Sequence, residues 1–228
     1  METSTNTLQQ VALNELNEIF VTGMEKFKSA CDKHAPFCVS SAGYIKYIPE
    51  QCFVTYFSWA LIDAGFSVFN EQTVGCPAQS QKTQRFDLVA RRFGEKEKMI
   101  QLKVEAKGNL DGRYEEILWD IARMEKYTLA FPNLEEKGLH LNARDSDFSS
   151  HFNAIITQNW GLAALSNWWT SDAPGAPKGR GSKWGLLKEK LLEAKKRGKF
   201  TVLKSKNGYS IDVLYAFFED GPKDQSHA

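Results

Sequence analysis

IQLKVEAKG, running from Ile100 to Gly108, alternates Ile100, Leu102, Val104 and Ala106 with Gln101, Lys103, Glu105 and Lys107. Strict alternation over this length is the pattern of a β-strand with one face in the core. The other face ends in a carboxylate and an ammonium two residues apart, immediately before glycine. A solvated face and a reactive one both fit that description, so the choice rests on the neighbouring segments.

RFDLVARRF, from Arg85 to Phe93, reads as a second strand, and GEKEK as the turn that joins it to the first. With that turn centred on Lys96, cross-strand partners have numbers summing to 192, which sets Asp87 opposite Glu105. Directly opposed side chains have Cβ atoms about 5 Å apart, where like charges repel. A divalent cation between them would remove the conflict. Hard oxygen ligands suit Mg²⁺, which takes one or two carboxylates and completes its shell with water and substrate phosphate. Such an ion polarises a phosphodiester and lowers the pKa of an attacking water. Period-2 geometry puts Lys107 on the same face as Glu105, where it could orient that water or stabilise charge building on the phosphorane. The residues alone thus point to metal-assisted phosphodiester hydrolysis. Against this stands the bland reading, in which Gln101, Lys103, Glu105 and Lys107 form one solvated strand face.

Outward from this pair, Leu8 to Phe27 carries apolar groups at Leu8, Val11, Ala12, Leu16, Ile19, Phe20, Met24 and Phe27, the stripe of an amphipathic helix. A second helix is expected from Pro49, a residue favoured in a first turn, to a C-cap at Gly65. Glu50 falls in its first turn, where the helix dipole favours an anion in any case. Phe66 to Val74 is a strand with Glu71 on it, followed by a break at Gly75, Cys76 and Pro77. Tyr114 to Leu129 has the apolar spacing of a helix, and Gly138 to Ala143 that of a short strand. Phe148 to Trp169, apolar and rich in aromatics, reads as helical. DAPGAPKGRGS is a flexible connection, and Ser182 can N-cap a basic helix, KWGLLKEKLLEAKKR, ending at Gly198. KFTVLKSK and YSIDVLYAFF around Asn207-Gly208 form a hairpin with the signature of a type I′ turn. A tail follows Glu219.

The order of these parts resembles that of the PD-(D/E)XK, or restriction-endonuclease-like, nuclease superfamily. The order is a helix with an early glutamate, a strand, a strand bearing aspartate, a hairpin to a strand ending Glu-x-Lys, and a helix. The likeness covers about Pro49 to Leu129, with Asp87 in RFDLVA and Glu105 and Lys107 in VEAKG as its motif residues. Glu50 stands where many members carry a further acidic metal ligand, and Glu71 is a weaker rival for that role. Phe86 rather than proline precedes the aspartate, a departure that removes one element of the literal motif. The resemblance implies an α+β fold with a mixed β-sheet flanked by helices, and Mg²⁺-dependent cleavage of DNA, with Mn²⁺ able to substitute. It assigns metal binding to Asp87, Glu105 and Glu50, and the nucleophilic water to Lys107. A homodimer is implied by family analogy only. The expected organisation is one nuclease-like domain. An N-terminal helical extension would cover residues 1–45, a catalytic core 46–145, a helical and basic helix–hairpin part 146–220, and a tail 221–228.

Charge distribution fits that expectation. The chain's formal net charge is only +1, but Lys178 to Lys206 holds eleven basic and two acidic residues, leaving the remainder eight charges negative. Such asymmetry marks a candidate nucleic-acid surface, with Lys183, Lys188, Lys195, Lys196, Arg197 and Lys199 as phosphate contacts; a solvated lysine-rich helix is the plain alternative. The tryptophans Trp160, Trp168 and Trp169 are expected in apolar packing before base stacking. With 42% hydrophobic and 25% charged residues the composition is that of a globular protein. No apolar run approaches the roughly 18 residues of a membrane span, and METSTNTLQQ lacks the order of a signal peptide. Four cysteines without C-x-x-C spacing suit a reducing compartment, so the expected setting is cytoplasmic, with no membrane partner. The rival function is a non-catalytic nucleic-acid-binding or regulatory module that keeps the nuclease fold.

Overall fold

The computed structural model of the chain describes residues 2–33, 48–75, 83–93, 99–126, 150–161, 163–204 and 210–219. Its elements in order are α1 (Glu2–Lys33), α2 (Glu50–Asp63), β1 (Ser67–Gly75), β2 (Thr83–Arg92), β3 (Ile100–Asn109) and α3 (Leu110–Lys126). After these come β4 (Ser150–Gly161), α4 (Ala164–Thr170), α5 (Ser182–Glu193), β5 (Lys196–Lys204) and β6 (Ser210–Glu219). The strands form one six-stranded sheet in the order β1-β2-β3-β4-β6-β5. Only β3 and β4 run parallel; every other neighbouring pair is antiparallel, so the sheet is mixed. Helices α1 and α2 cover one face, and α3, α4 and α5 cover the other. The fold is α+β, a mixed sheet flanked by helices.

Local chemistry explains most of the boundaries. Pro49 precedes α2 with φ −57°, and Gly65 follows it in the left-handed region at φ 85°. The Phe66 amide donates to Leu61 O at 2.9 Å and the Gly65 amide to Ile62 O at 2.9 Å. That pair of bonds is a Schellman cap, and the positive φ it needs is what glycine supplies. On α1 the buried positions are Ala12, Leu13, Leu16, Ile19, Phe20, Met24, Phe27 and Cys31, a helical stripe, whereas Val11 is 60% exposed. This stripe joins the cluster formed by α2 and the strands, so α1 is part of the core rather than an appendage. Gly23 lets the two helices meet, since a Cβ there would lie 2.9 Å from Tyr56 O.

Three expectations need correction. Residues from Ser150 to Gly161 are a strand, not a helix, and only Ala164–Thr170 is helical. β4 is central and buried on both faces, so its apolar run lacks alternation and resembles a buried helix. The β-branched Ile155-Ile156-Thr157 is the signal that favours a strand. Second, α5 ends at Glu193, and Lys196 to Lys204 belongs to the edge strand β5. Gly198 is tied to that strand: its missing side chain makes room for the Tyr215 ring, which a Cβ would approach to 2.3 Å. Third, Gly181 rather than Ser182 caps α5, and no side chain bonds there. The expected strand at Gly138–Ala143 and the Asn207-Gly208 turn lie outside the described residues.

Candidate functional site

The hairpin register is the one the numbering implies. Leu88 pairs with Val104, Ala90 with Leu102 and Arg92 with Ile100, each pair summing to 192. The ladder stops at Leu88, one residue short of Asp87. On its other side β2 pairs Leu88 with Asn70 and Phe86 with Gln72, passing over Asp87 and Glu71. Phe86 packs on the α3 face and Leu88 on the opposite face, so alternation breaks at Asp87. Its carboxylate turns toward β3, where Oδ2 accepts the Ala106 amide at 2.7 Å.

The polar face of β3 is not solvated. It lies under α3, and Gln101, Lys103 and Glu105 are all buried. Gln101 accepts from Arg91 Nε at 2.8 Å, and Lys103 donates to Met124 O at 3.1 Å. Those two side chains tie strand to strand and sheet to helix. Glu105 and Lys107, further along, belong to a charged cluster. Between Ala106 and Asn109 β3 carries one residue more than its partner β4, a bulge that falls at Lys107 and Gly108. Bulges re-aim side chains at the ends of strands. Thr157 Oγ1 anchors this one by donating to Gly108 O at 2.7 Å.

Lys107 Nζ stands 3.6 Å from Glu105 Oε2 and 2.9 Å from Asp120 Oδ2. Arg123 Nη2 bonds Glu105 Oε1 and lies 3.0 Å from Asp120 Oδ1. Glu50 joins from the first turn of α2, and the charges acting on it are those of Asp87, Lys107, Arg113 and Glu116. Gln158 holds that helix end in place: its Nε2 donates to Ile48 O at 2.7 Å, and it pairs with Asn109 in the β3–β4 ladder. Glu50, Asp87, Glu105 and Lys107 therefore converge on one end of the sheet. Glu71 does not join them; it is exposed, at φ 52°, and paired with Arg85 at 3.0 Å.

Electrostatically the cluster has an excess of acid. Fully ionised, the four carboxylates Glu50, Asp87, Glu105 and Asp120 outnumber Lys107 and Arg123 by two, and the further cation acting on Glu50, Arg113, is paired with Glu116. The Glu105 carboxyl, 2% exposed, is pushed up to about 8, by burial first and then by Asp120 and Asp87, against the pull of Arg123 and Lys107. Burial also raises Asp120, and burial with Asp87 raises Glu50. For Lys107 burial opposes the charge, but Asp120, Glu105 and Asp87 outweigh it, and the net shift is upward. The carboxylates around it thus favour the charged, hydrogen-bond-donating form of Lys107.

Asp120 and Arg123 are the two members of the cluster that sequence reasoning missed. They border the buried stripe Ile117, Ile121 and Met124 on α3, at the three-residue spacing that puts polar groups beside an apolar seam. That border is the usable signal. Among the described residues no three carboxylate, histidine or cysteine side chains stand as a preformed metal cage. The donor set nonetheless fits a hard divalent ion, because Mg²⁺ needs only one or two carboxylates.

The six candidate phosphate contacts are dispersed. Lys188 is fully buried, and its ammonium donates to Trp168 O at 2.6 Å and to Ser171 O at 2.5 Å. It holds the end of α4 and does not face solvent. Arg197 is bound to Asp172 at 2.6 Å, Lys183 to Glu115 at 2.8 Å and Lys195 to Glu219 at 3.4 Å. Lys199 donates to Asn167 Oδ1 at 2.8 Å, and Lys196 is exposed. As a strand, β5 alternates Lys196, Arg197 and Lys199 between two sheet faces. Arg92 is engaged as well, with Glu15 on α1 and over the Phe66 ring at 5.0 Å. Among the tryptophans, Trp169 is buried and donates to Tyr215 O at 3.0 Å. Trp168 packs on Trp184, and Trp160 donates to Gln158. Among the described residues no helix is long and apolar enough to cross a membrane. No protein-family model, curated protein or solved structure matches this chain.

Proposed function

We propose that this protein is a metal-dependent nuclease that hydrolyses phosphodiester bonds, with DNA as its substrate. The observation that carries the reading is the gathering of carboxylates at the end of β3, where buried Glu105 is only partly offset by its cations, with Lys107 beside it. Burying carboxylates in excess of their partners costs stability, and a cation bound in use would offset that cost. Asp87 and Glu105 would hold a Mg²⁺ or Mn²⁺ ion, with Glu50 as a further ligand from α2. When bound, the ion would polarise the phosphodiester and lower the pKa of the attacking water.

The chain's own groups have distinct parts to play. Asp87 is held toward the site by the Ala106 amide, which fixes one oxygen and leaves the other to coordinate. Lys107, charged at neutral pH, orients the water and stabilises the negative charge that builds on the phosphorane. Asp120, 2.9 Å from the Lys107 ammonium, keeps that donor aimed.

The rival reading, a non-catalytic nucleic-acid-binding module, draws on the ion pairs of Glu105 with Arg123 and Lys107, which partly compensate it without any metal. One assay separates the two: cleavage of plasmid, linear and single-stranded DNA in Mg²⁺, Mn²⁺ or EDTA, for the wild type and Lys107→Ala. The expected result is metal-dependent cutting that falls about 100-fold or more in the variant, the scale of losing one charge-stabilising donor. Folded wild-type protein that binds DNA and cuts none of these substrates would sink the nuclease and favour the module.

A further inference from the structure

Resting on the metal-dependent reading, we propose that Arg123 is a positioning residue: it holds Glu105 and Asp120 together as a resident cation and yields Glu105 to the divalent ion. A single guanidinium nitrogen, Arg123 Nη2, reaches both Glu105 Oε1 and Asp120 Oδ1. It therefore occupies the point where a cation bridging those two carboxylates would sit. The two partners differ in their freedom to move. The Glu105 side chain is 2% exposed on a central strand, whereas the Arg123 side chain is 25% exposed on the covering helix.

The guanidinium has a second resting surface, the Phe86 ring, 5.6 Å from its central carbon. A cation over an aromatic face keeps part of its stabilisation when its carboxylate is withdrawn. Lys107 is placed differently. It sits 2.9 Å from Asp120 but 3.6 Å from Glu105, so loss of Glu105 to a metal leaves its main partner in place. The exchange thus moves Arg123 and keeps Lys107 where the chemistry needs it. It also explains how the two buried carboxylates, Glu105 and Asp120, are tolerated side by side before an ion arrives.

The sign of the effect on metal affinity separates this role from a purely structural one. A structural arginine, once removed, would loosen Glu105 and weaken metal binding. A resident cation, once removed, stops competing. The experiment is calorimetric titration of Mn²⁺ into full-length wild type, Arg123→Gln and Arg123→Lys, without nucleic acid, at a pH where thermal melts show all three folded. The expected result is about tenfold tighter binding in Arg123→Gln, the equivalent of 1.4 kcal/mol, with Arg123→Lys returning toward wild type. Arg123→Gln binding no tighter than wild type, or Arg123→Lys as tight as Arg123→Gln, would overturn the proposal. So would Mn²⁺ binding to none of the three. If the wild type cuts DNA while Arg123→Gln gains no affinity, this inference alone fails. Tighter binding in a protein that never cuts would remove the nuclease and leave the cation exchange standing.

Discussion

The two most charged regions of this chain treat charge in opposite ways. At the end of β3, four carboxylates and two cations converge at one end of the sheet, mostly out of water, and the acids are in excess. Along α5 and β5, a run of bases is laid over an edge, and four of its members are each matched to one carboxylate. Lys183 meets Glu115, Lys190 meets Glu193, Lys195 meets Glu219 and Arg197 meets Asp172. Charge summed along a sequence therefore does not locate charge density in space. Part of the +9 stretch becomes local pairs spread from α5 to the start of β5, an edge strand where lysines also discourage strand-to-strand aggregation. The short D…E-x-K pattern becomes a concentrated, buried excess of acid.

If the acidic region is strained by its own charge, stability should show it. Glu105 has a pKa of about 8 in the folded protein against an ordinary glutamate value of 4.5. A carboxyl raised in this way binds more protons folded than unfolded between those values, so stability falls as pH rises through that window. Without metal, the wild-type melting temperature should drop by several degrees from pH 5 to pH 8. Glu105→Gln, neutral at both ends, should lose most of that slope, while added Mg²⁺ should raise the melting temperature of the wild type more at pH 8 than at pH 6. The surrounding charges are those of Asp87, Asp120, Lys107 and Arg123, and they remain in the variant, which isolates the carboxyl. Parallel melting curves for the two proteins would mean that Glu105 is fully ionised and well paired.

A smaller effect of the opposite sign belongs to the basic region. Lys188 is pushed down to about 8, first by burial and then by Arg197, and partly restored by Asp172. A lysine lowered from 10.5 holds fewer protons folded than unfolded, so stability rises between about pH 8 and pH 10.5. In Lys188→Met that rise should disappear, as measured by chemical denaturation across the same range. Two buried groups with similar pKa values would then tilt the stability curve in opposite directions. A persistent rise in Lys188→Met would assign it to some other group.

What the sequence discloses follows the same divide. The β2–β3 hairpin can be registered from sequence because β3 alternates cleanly and few residues separate the two strands, and Glu50 can be placed by Pro49. The bulge at Lys107 and the turn of Asp87 out of the ladder cannot, since both depend on where β4 and β1 pair. Asp120 and Arg123 stay hidden because a charged residue beside an apolar helical seam looks the same whether it meets water or a buried carboxylate. β4 reads as a helix because burial on both faces erases the period that distinguishes strand from helix. The basic segment misleads for a related reason: an amphipathic start at Trp184, Leu187 and Leu191 extends on paper through Arg197 to Gly198, although the helix stops at Glu193. Gly198 signals the strand there, serving the Tyr215 ring rather than a helix cap.

The least effect expected is on DNA binding by β5, and its size discriminates between one docking face and two. Lys196 pairs with Phe217 and Lys199 with Leu214, whose side chains enter the clusters on opposite sides of the sheet. A single duplex lying on one face can meet one of these lysines and not the other. Removing one lysine that neutralises a phosphate lowers the slope of log affinity against log salt by about 0.9. Lys196→Gln and Lys199→Gln should therefore differ, one lowering the slope by about one unit and the other leaving it near wild type, in binding measured across a salt series with EDTA present. Lys199 lies on the face shared with α3, the helix over the acidic site, so the larger change is expected there. Equal reductions in both variants would mean that nucleic acid wraps the edge of the sheet. No reduction in either would leave the basic strand as a solvated, self-paired edge, with substrate affinity supplied elsewhere.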